Sequence, residues 1–337
     1  MINRLQLSAT LAAFSLCAFA SSGCDKKTSD SATATLELGK PALYFNYEAV
    51  TELTLAKNDP ETSDHWTTKL QALSPDPESH WQIVSAPEGR ELTDRLADGG
   101  FIRHLLDTLR SLRPIAHAPT GSLSSMGLEP PRFFLSWKTR TPEQNFEVQL
   151  GNSPAATQVS AALALFPLLK KEPVLAQGST LQMLSHIKNF ESLRLRRVFT
   201  WTTDDIETLE IKRGKQQRLF AQRQSGGWAD RKGKSYGKSF EDWLERLMHL
   251  QIARFMDEST DEKVESQKLG ASLSGSNTFQ IFLKSRQNDN QILTFAPSIS
   301  ATHKGVPVTH SGRPGAVFIL YSDAIKILQP PATFRVN

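Results

Sequence analysis

Leu193-Arg194-Leu195-Arg196-Arg197-Val198-Phe199-Thr200-Trp201 runs on into Thr202-Thr203-Asp204-Asp205-Ile206-Glu207-Thr208-Leu209-Glu210-Ile211, and this stretch decides how the fold is read. It opens on three arginines, crosses an apolar step at Val198 and Phe199, and ends in a strand-like run carrying Ile206, Leu209 and Ile211. What lies before it has a counterpart after it, so it reads as the seam between two diverged copies of one structural unit.

Upstream, Leu43, Phe45 and Tyr47 alternate, as do Leu53 and Leu55, which predicts strands; Lys57 to Ser79 reads as a loop carrying Trp66. Trp81 and Ile83 mark another strand. Ile102, Leu105, Leu106, Leu109 and Leu112 form one helical stripe, opened by Asp98 and Gly99-Gly100 and closed by Pro114. A turn at Gly127 precedes Pro130-Pro131. Then come strands at Phe133, Leu135 and Trp137, and at Phe146, Val148 and Leu150. Val159–Leu169 reads as strand or mixed, and Val174-Leu175 as a short strand. Ser179 opens a short helix with Leu181, Leu184 and Ile187.

Downstream the order repeats. Strands are predicted at Leu209 and Ile211, and at Leu219 and Phe220. Gly226-Gly227-Trp228 stands where Trp81 stood, and a helix carries Phe240, Trp243, Leu244, Leu247 and Met248. Ser239 and Asp242 have capping-box spacing at its start. Strands follow at Phe279–Leu283, Ile292–Phe295 and Val317–Leu320, and Ser322 opens a last helix with Ile325 and Leu328. Leu105 and Trp243 lie 138 residues apart, Trp137 and Leu283 146, and Ser179 and Ser322 143. The expectation is an α+β fold of two tandem units, 41–197 and 198–337, each an antiparallel sheet packed by one long helix and closed by a short one.

The N-terminus reads as an address. Arg4 precedes a nearly uncharged run, Leu5–Ala20, too short to span a membrane and suited to a signal-peptide core. Ala18-Phe19-Ala20 fits ordinary secretory cleavage. Ser21-Ser22-Gly23-Cys24 fits a lipobox, with Ser21 where Leu is usual, and this second reading is favoured. Residues 1–23 are then a lipoprotein signal peptide, Cys24 is lipidated, and 24–40 is a polar tether. Asp25 favours retention at an inner membrane, with the body facing the periplasm. Cys17 and Cys24 are the only cysteines, so the body has no disulfide and no cysteine-based metal site.

The net charge of +4 demands no nucleic-acid partner, but its distribution is uneven. Between Lys188 and Lys238 stand thirteen Lys or Arg against six Asp or Glu. Arg194, Arg196, Arg197, Lys212, Arg213, Lys232 and Lys234 are the candidate anion-facing residues. Alternatively, the arginine triplet pairs internally with acids in a loop at Asp257–Glu265.

Catalytic signals are missing. Gly237-Lys238-Ser239 is no phosphate loop, because Lys232 stands where that pattern needs glycine. The eight histidines show no i, i+4 pair and no H-E-x-x-H, and no G-x-S-x-G elbow is present. No cofactor or metal is expected. Of the six tryptophans, Trp66 and Trp201 are the least tied to core positions, so they are the ones free to meet a ligand.

Trp81-Gln82-Ile83, Gly127-Leu128-Glu129-Pro130-Pro131-Arg132 and Leu193–Arg197 running into Asp205-Ile206-Glu207 together resemble the domain of unknown function 4340 family, from about Val50 onward. In the second half only Leu269-Gly270 matches the Gly-Leu turn. The resemblance implies an exported or anchored bacterial envelope protein, in some cases accessory to an ABC-type transport system, and supplies no catalytic residues. Three readings follow: a lipid-anchored interaction module with an envelope-protein partner, a polyanion- or glycan-binding protein using 188–238, and an envelope hydrolase. The first is preferred.

Overall fold

The computed structural model describes residues 37–59, 64–74, 81–87, 91–92, 94–153, 161–166, 170–187, 189–257 and 260–330. The expected signal segment, Cys24, most of the expected tether and Lys188 lie outside them. Leu36–Asn337 form one compact unit, which holds two largely antiparallel sheets and five α-helices among the described residues.

The first sheet holds β1 (Val50–Asp59), β2 (Asp64–Ala72), β3 (Trp81–Ser85), β4 (Leu96–Ala97), β5 (Arg113–His117), β6 (Phe133–Arg140), β7 (Glu143–Leu150), β8 (Ala161–Phe166) and β9 (Lys170–Gln177). Their order is β4-β3-β2-β1-β6-β7-β8-β9-β5. Alternation explains them: Leu53 and Leu55, Leu70, Leu135 and Trp137, Val148 and Leu150 all point to one face. Helix α1 (Gly99–Arg110) covers that face with Ile102, Leu105, Leu106 and Leu109. Asp98 caps α1, its carboxylate accepting from the Phe101 N–H at 3.0 Å.

The second sheet holds β10 (Ile206–Arg213), β11 (Gln216–Gln224), β12 (Gly227–Ala229), β13 (Ile252–Phe255), β14 (Phe279–Ser285), β15 (Asn290–Phe295), β16 (Gly305–His310) and β17 (Val317–Tyr321), in the order β12-β11-β10-β14-β15-β16-β17-β13. Leu209, Ile211, Ile281, Leu283, Leu293 and Phe295 pack with Phe240, Trp243, Leu244 and Leu247 of α3 (Lys238–Met248). Each fully buried side chain of this kind contributes roughly 1.5–3 kcal/mol. The short helices α2 (Thr180–Ser185) and α5 (Ala324–Leu328) pack beside α1 and α3; the Trp243 indole N–H donates to the Ile327 carbonyl at 2.7 Å.

Bulges sit at matching places. The β1–β6 register slips between Val50 and Glu52, opposite Thr139 and Lys138, and the β10–β14 register slips between Ile206 and Thr208, opposite Ser285 and Lys284. The β5–β9 pair slips at Pro114/Ala116 and the β13–β17 pair at Ile252/Arg254.

Several expectations need correction. Lys57–Ser79 is not one loop: β1 runs on through Lys57 and β2 carries Trp66. Lys57 points inward, its ammonium donating to the Ile187 carbonyl at 3.3 Å, which hides the strand's alternation. Leu43–Tyr47 is no strand; a 3-10 turn at Tyr47–Ala49 leads into β1. Asp257–Glu265 is not a loop throughout, since α4 spans Thr260–Leu273. Helix α3 is capped by Gly237, so Ser239 lies inside its first turn; α5 is capped by Asp323, beyond Ser322. Among the described residues no helix is long and apolar enough to cross a membrane.

Candidate functional site

The segment from Leu193 to Val198 runs between the two sheets and is hydrogen-bonded to both. Towards the first sheet, the Asp98 N–H donates to the Leu193 carbonyl at 2.8 Å and the Leu195 N–H to the Leu96 carbonyl at 2.9 Å. Towards the second, the Ile252 N–H donates to the Arg196 carbonyl at 2.7 Å and the Val198 N–H to the Leu250 carbonyl at 3.0 Å. Leu193, Leu195 and Val198 are buried, and so is Arg194 between them.

Arg194 is the centre of a sealed ion network. Its guanidinium meets Asp257 with two bonds, Nη1 to Oδ1 at 2.7 Å and Nη2 to Oδ2 at 3.0 Å. It also donates to Glu191 Oε2 at 2.9 Å and to the Asp94 carbonyl at 2.8 Å, and lies 3.6 Å from the Phe255 ring centre. Such two-pronged, charge-assisted contact fixes orientation as well as charge. A second arginine completes the network: Arg313 donates to Asp94 Oδ2 and to the Leu195 carbonyl, both at 3.1 Å, and to the Arg197 carbonyl at 2.6 Å. Asp94 and Glu191 come from the first half, Asp257 and Arg313 from the second, and Arg194 from the seam itself.

Three carboxyl groups, those of Asp94, Glu191 and Asp257, are gathered around two buried guanidiniums. Burial raises the carboxyl of Asp94 above its ordinary range, against the pull of Arg313 and Arg194. Burial raises Glu191 likewise, against Arg194; Glu191 Oε1 is buried and has no partner among the described residues. Burial works against the charge of Arg194, but its bond to Asp257 and the surrounding carboxylates carry it above its usual value. Burial lowers Arg313 in spite of Asp94. Beside it, His310 is held neutral, its pKa lowered from 6.5 to about 4 by burial and by the Arg313 charge. His310 Nδ1 accepts from the Gly312 N–H at 3.1 Å, which places the ring proton on Nε2.

The chemistry of this arrangement is structural. An acid or base must reach its substrate to catalyse, and Arg194, Asp94 and Arg313 expose at most 2% of their side chains. The network instead matches charge to charge across the join.

Of the sequence candidates, Arg194 is therefore not anion-facing: burial turns it inward, and Asp257 takes its charge. Arg196 donates to the Ile252 and Ala253 carbonyls, both at 3.1 Å, and Arg197 is half-buried, so the triplet makes no outward patch. Lys212 lies on β10, 2.8 Å from Glu210 and 4.5 Å from the Phe282 ring centre; Arg213 stands 5.4 Å from that of Phe279. Lys232 and Lys234 are exposed together on the turn after β12, where Asp230 accepts from both backbone N–H groups at 2.8 and 3.0 Å. Trp66 is buried in the first core and Trp201 packs against the second. Asp94 and Arg313 escaped the sequence reading because their partners lie 100 residues or more away along the chain; Glu191, only three residues before Arg194, escaped because an i, i+3 acid–base pair looks the same on a surface as in a buried cluster.

The fold and the seam thus define a class, paired antiparallel sheets clasped by a buried ion network. No protein-family model matches the chain, and no curated protein or solved structure matches it.

Proposed function

We propose that this protein is a lipid-tethered interaction module of a bacterial envelope, anchored through Cys24, whose body is two diverged copies of one α+β unit and whose partner is another envelope protein. Duplication is supported by the strand orders, which correspond one for one once β4 is set aside: β3-β2-β1-β6-β7-β8-β9-β5 against β12-β11-β10-β14-β15-β16-β17-β13. The two pairs of bulges fall in the same strand pairs, and a 3-10 turn precedes both β1 and β10. Random coincidence of order, register slips and helix placement is hard to arrange, whereas copying produces all three.

The observation that carries the binding role is the seam. It spends the buried charges on making one body from two units, and leaves polar sheet faces and strand edges outside. Such surfaces suit recognition of a macromolecule. The resemblance to the 4340 family makes a component of an ABC-type transport system the partner class to test first. The test compares wild type with Cys24→Ala by membrane fractionation, mass analysis of the mature N-terminus and cross-linking in native envelopes. A lipidated Cys24 and transporter subunits cross-linked to wild type, both lost in the variant, support the proposal. A soluble wild-type protein beginning at Ser21, without cross-linked subunits, refutes it.

A further inference from the structure

The first sheet shows how an edge of this fold accepts a guest strand. Beside β3 lies β4, and the far side of β4 receives Leu193–Leu195 through the two backbone bonds described above. The added segment brings Arg194, which donates to the Asp94 backbone carbonyl at 2.8 Å, while the Asp94 carboxylate pairs with Arg313 at 3.1 Å.

The second sheet has the same kind of edge, with no strand paired beyond it among the described residues. Beside β12 lies Ser235-Tyr236: Ala229 and Ser235 form an antiparallel bridge, with the Tyr236 N–H donating to the Trp228 carbonyl at 2.7 Å and the Asp230 N–H to the Lys234 carbonyl at 2.9 Å. Since residues on either side of Ser235 bond towards β12, the N–H and C=O of Ser235 itself point outward. Ser235 is exposed, and its backbone groups have no partner among the described residues. The charge here is opposite to that of the first edge. Arg231, Lys232, Lys234 and Lys238 flank it; Arg231 stands 3.4 Å from Glu210 and Lys238 3.6 Å from Asp242, while the Asp230 carboxylate is taken up by backbone N–H groups.

We infer that the Ser235–Gly237 edge binds an extended acidic segment of a partner protein by strand addition. Backbone pairing supplies the register, and Lys232 and Lys234 select for carboxylates on the guest. This inference rests on reading the protein as an interaction module and names the chemistry of its partner.

The test uses the purified full chain and a fluorescent peptide of about ten residues alternating Glu with Val or Thr; the control peptide has Lys in place of Glu. The acidic peptide should bind and the basic one should not. Lys232→Glu with Lys234→Glu should weaken binding at least about tenfold and transfer it to the basic peptide. Ser235→Pro, which removes the outward N–H, should weaken it with the charges intact. An unchanged urea midpoint shows that each variant is folded. Failure of the acidic peptide to bind, equal binding of both peptides, or indifference to both substitutions would overturn the inference. Binding to phosphatidylglycerol vesicles without peptide binding would overturn it in favour of a lipid surface. Because peptide binding needs neither Cys24 nor an envelope, its failure is separable from failure of the anchoring and cross-linking test.

Discussion

Replacing Arg194 with Met should be among the most damaging single changes in the seam. The side chain is fully buried and makes four charge-assisted bonds, two to Asp257 and one each to Glu191 and the Asp94 carbonyl. Methionine fills much of the volume but leaves Asp257 and Glu191 without their ion-pair partner, while Arg313 still pairs with Asp94. Breaking a buried pair by removing one partner costs about 3–5 kcal/mol, a large part of the roughly 5–15 kcal/mol that holds a folded protein together. Relief should come from two directions. Removing the orphaned charges as well, in Arg194→Met/Asp257→Asn/Glu191→Gln, should recover more than half of the loss. Lowering the pH should also help. Carboxyls left without their cation have folded pKa values above their unfolded ones, so the folded variant binds more protons and gains stability as pH falls through that window. Equilibrium urea unfolding at pH 7 and pH 5, followed by tryptophan fluorescence and circular dichroism, measures all of this. A loss under about 1 kcal/mol at pH 7, or a triple variant less stable than the single one, would refute the reasoning.

Other outcomes follow from the same physics. His310 stays neutral in the folded state down to about pH 4 but is protonated below 6.5 when unfolded, so its contribution to stability is present above 6.5 and is lost as pH falls towards 4, by up to about 3 kcal/mol. Glu191 and Asp94, raised on folding, act in the opposite sense, so the difference between wild type and His310→Phe across that range isolates the histidine. Trp243→Ala should cost about 3–5 kcal/mol, through lost core volume and the lost bond to the Ile327 carbonyl, read as a shift in urea midpoint. Gly214→Ala should destabilise by roughly 1–3 kcal/mol, since φ is +55° there and a Cβ would lie 2.5 Å from the Ser276 carbonyl oxygen. His303→Ala should loosen α4 selectively: His303 Nε2 meets Glu265 at 3.0 Å and its Nδ1 accepts from Arg254 at 2.6 Å, so faster amide exchange confined to 260–273 is expected.

Much of the fold was legible because its signals are local. The stripe Ile102–Leu109 with its Asp98 cap, and the run from Phe240 to Met248, read as helices from spacing alone and pack as such. What escaped is what depends on distant partners. Helix α4 has no clear apolar stripe, with only Leu269 joining the small cluster of Met256, Val317 and Ile319. Lys57 interrupts the inward alternation of β1 because its partner carbonyl is 130 residues away. The arginine triplet shows the limit best. A cluster of cations has the same sequence appearance on a surface as in a clasp, and only the approach of Asp257, 63 residues on, distinguishes them.

The central claim is that Leu193–Val198 makes one body of two sheets. Native-state amide hydrogen exchange tests it directly. The amides of Leu195, Val198 and Ile252 should be protected to the same free energy as those of Leu55 and Leu209 in the two cores, and Arg194→Met should lower protection at all five together. Rapid exchange at Leu195 and Val198, with Leu55 and Leu209 still protected, would show that the sheets fold independently and that the seam is only a linker.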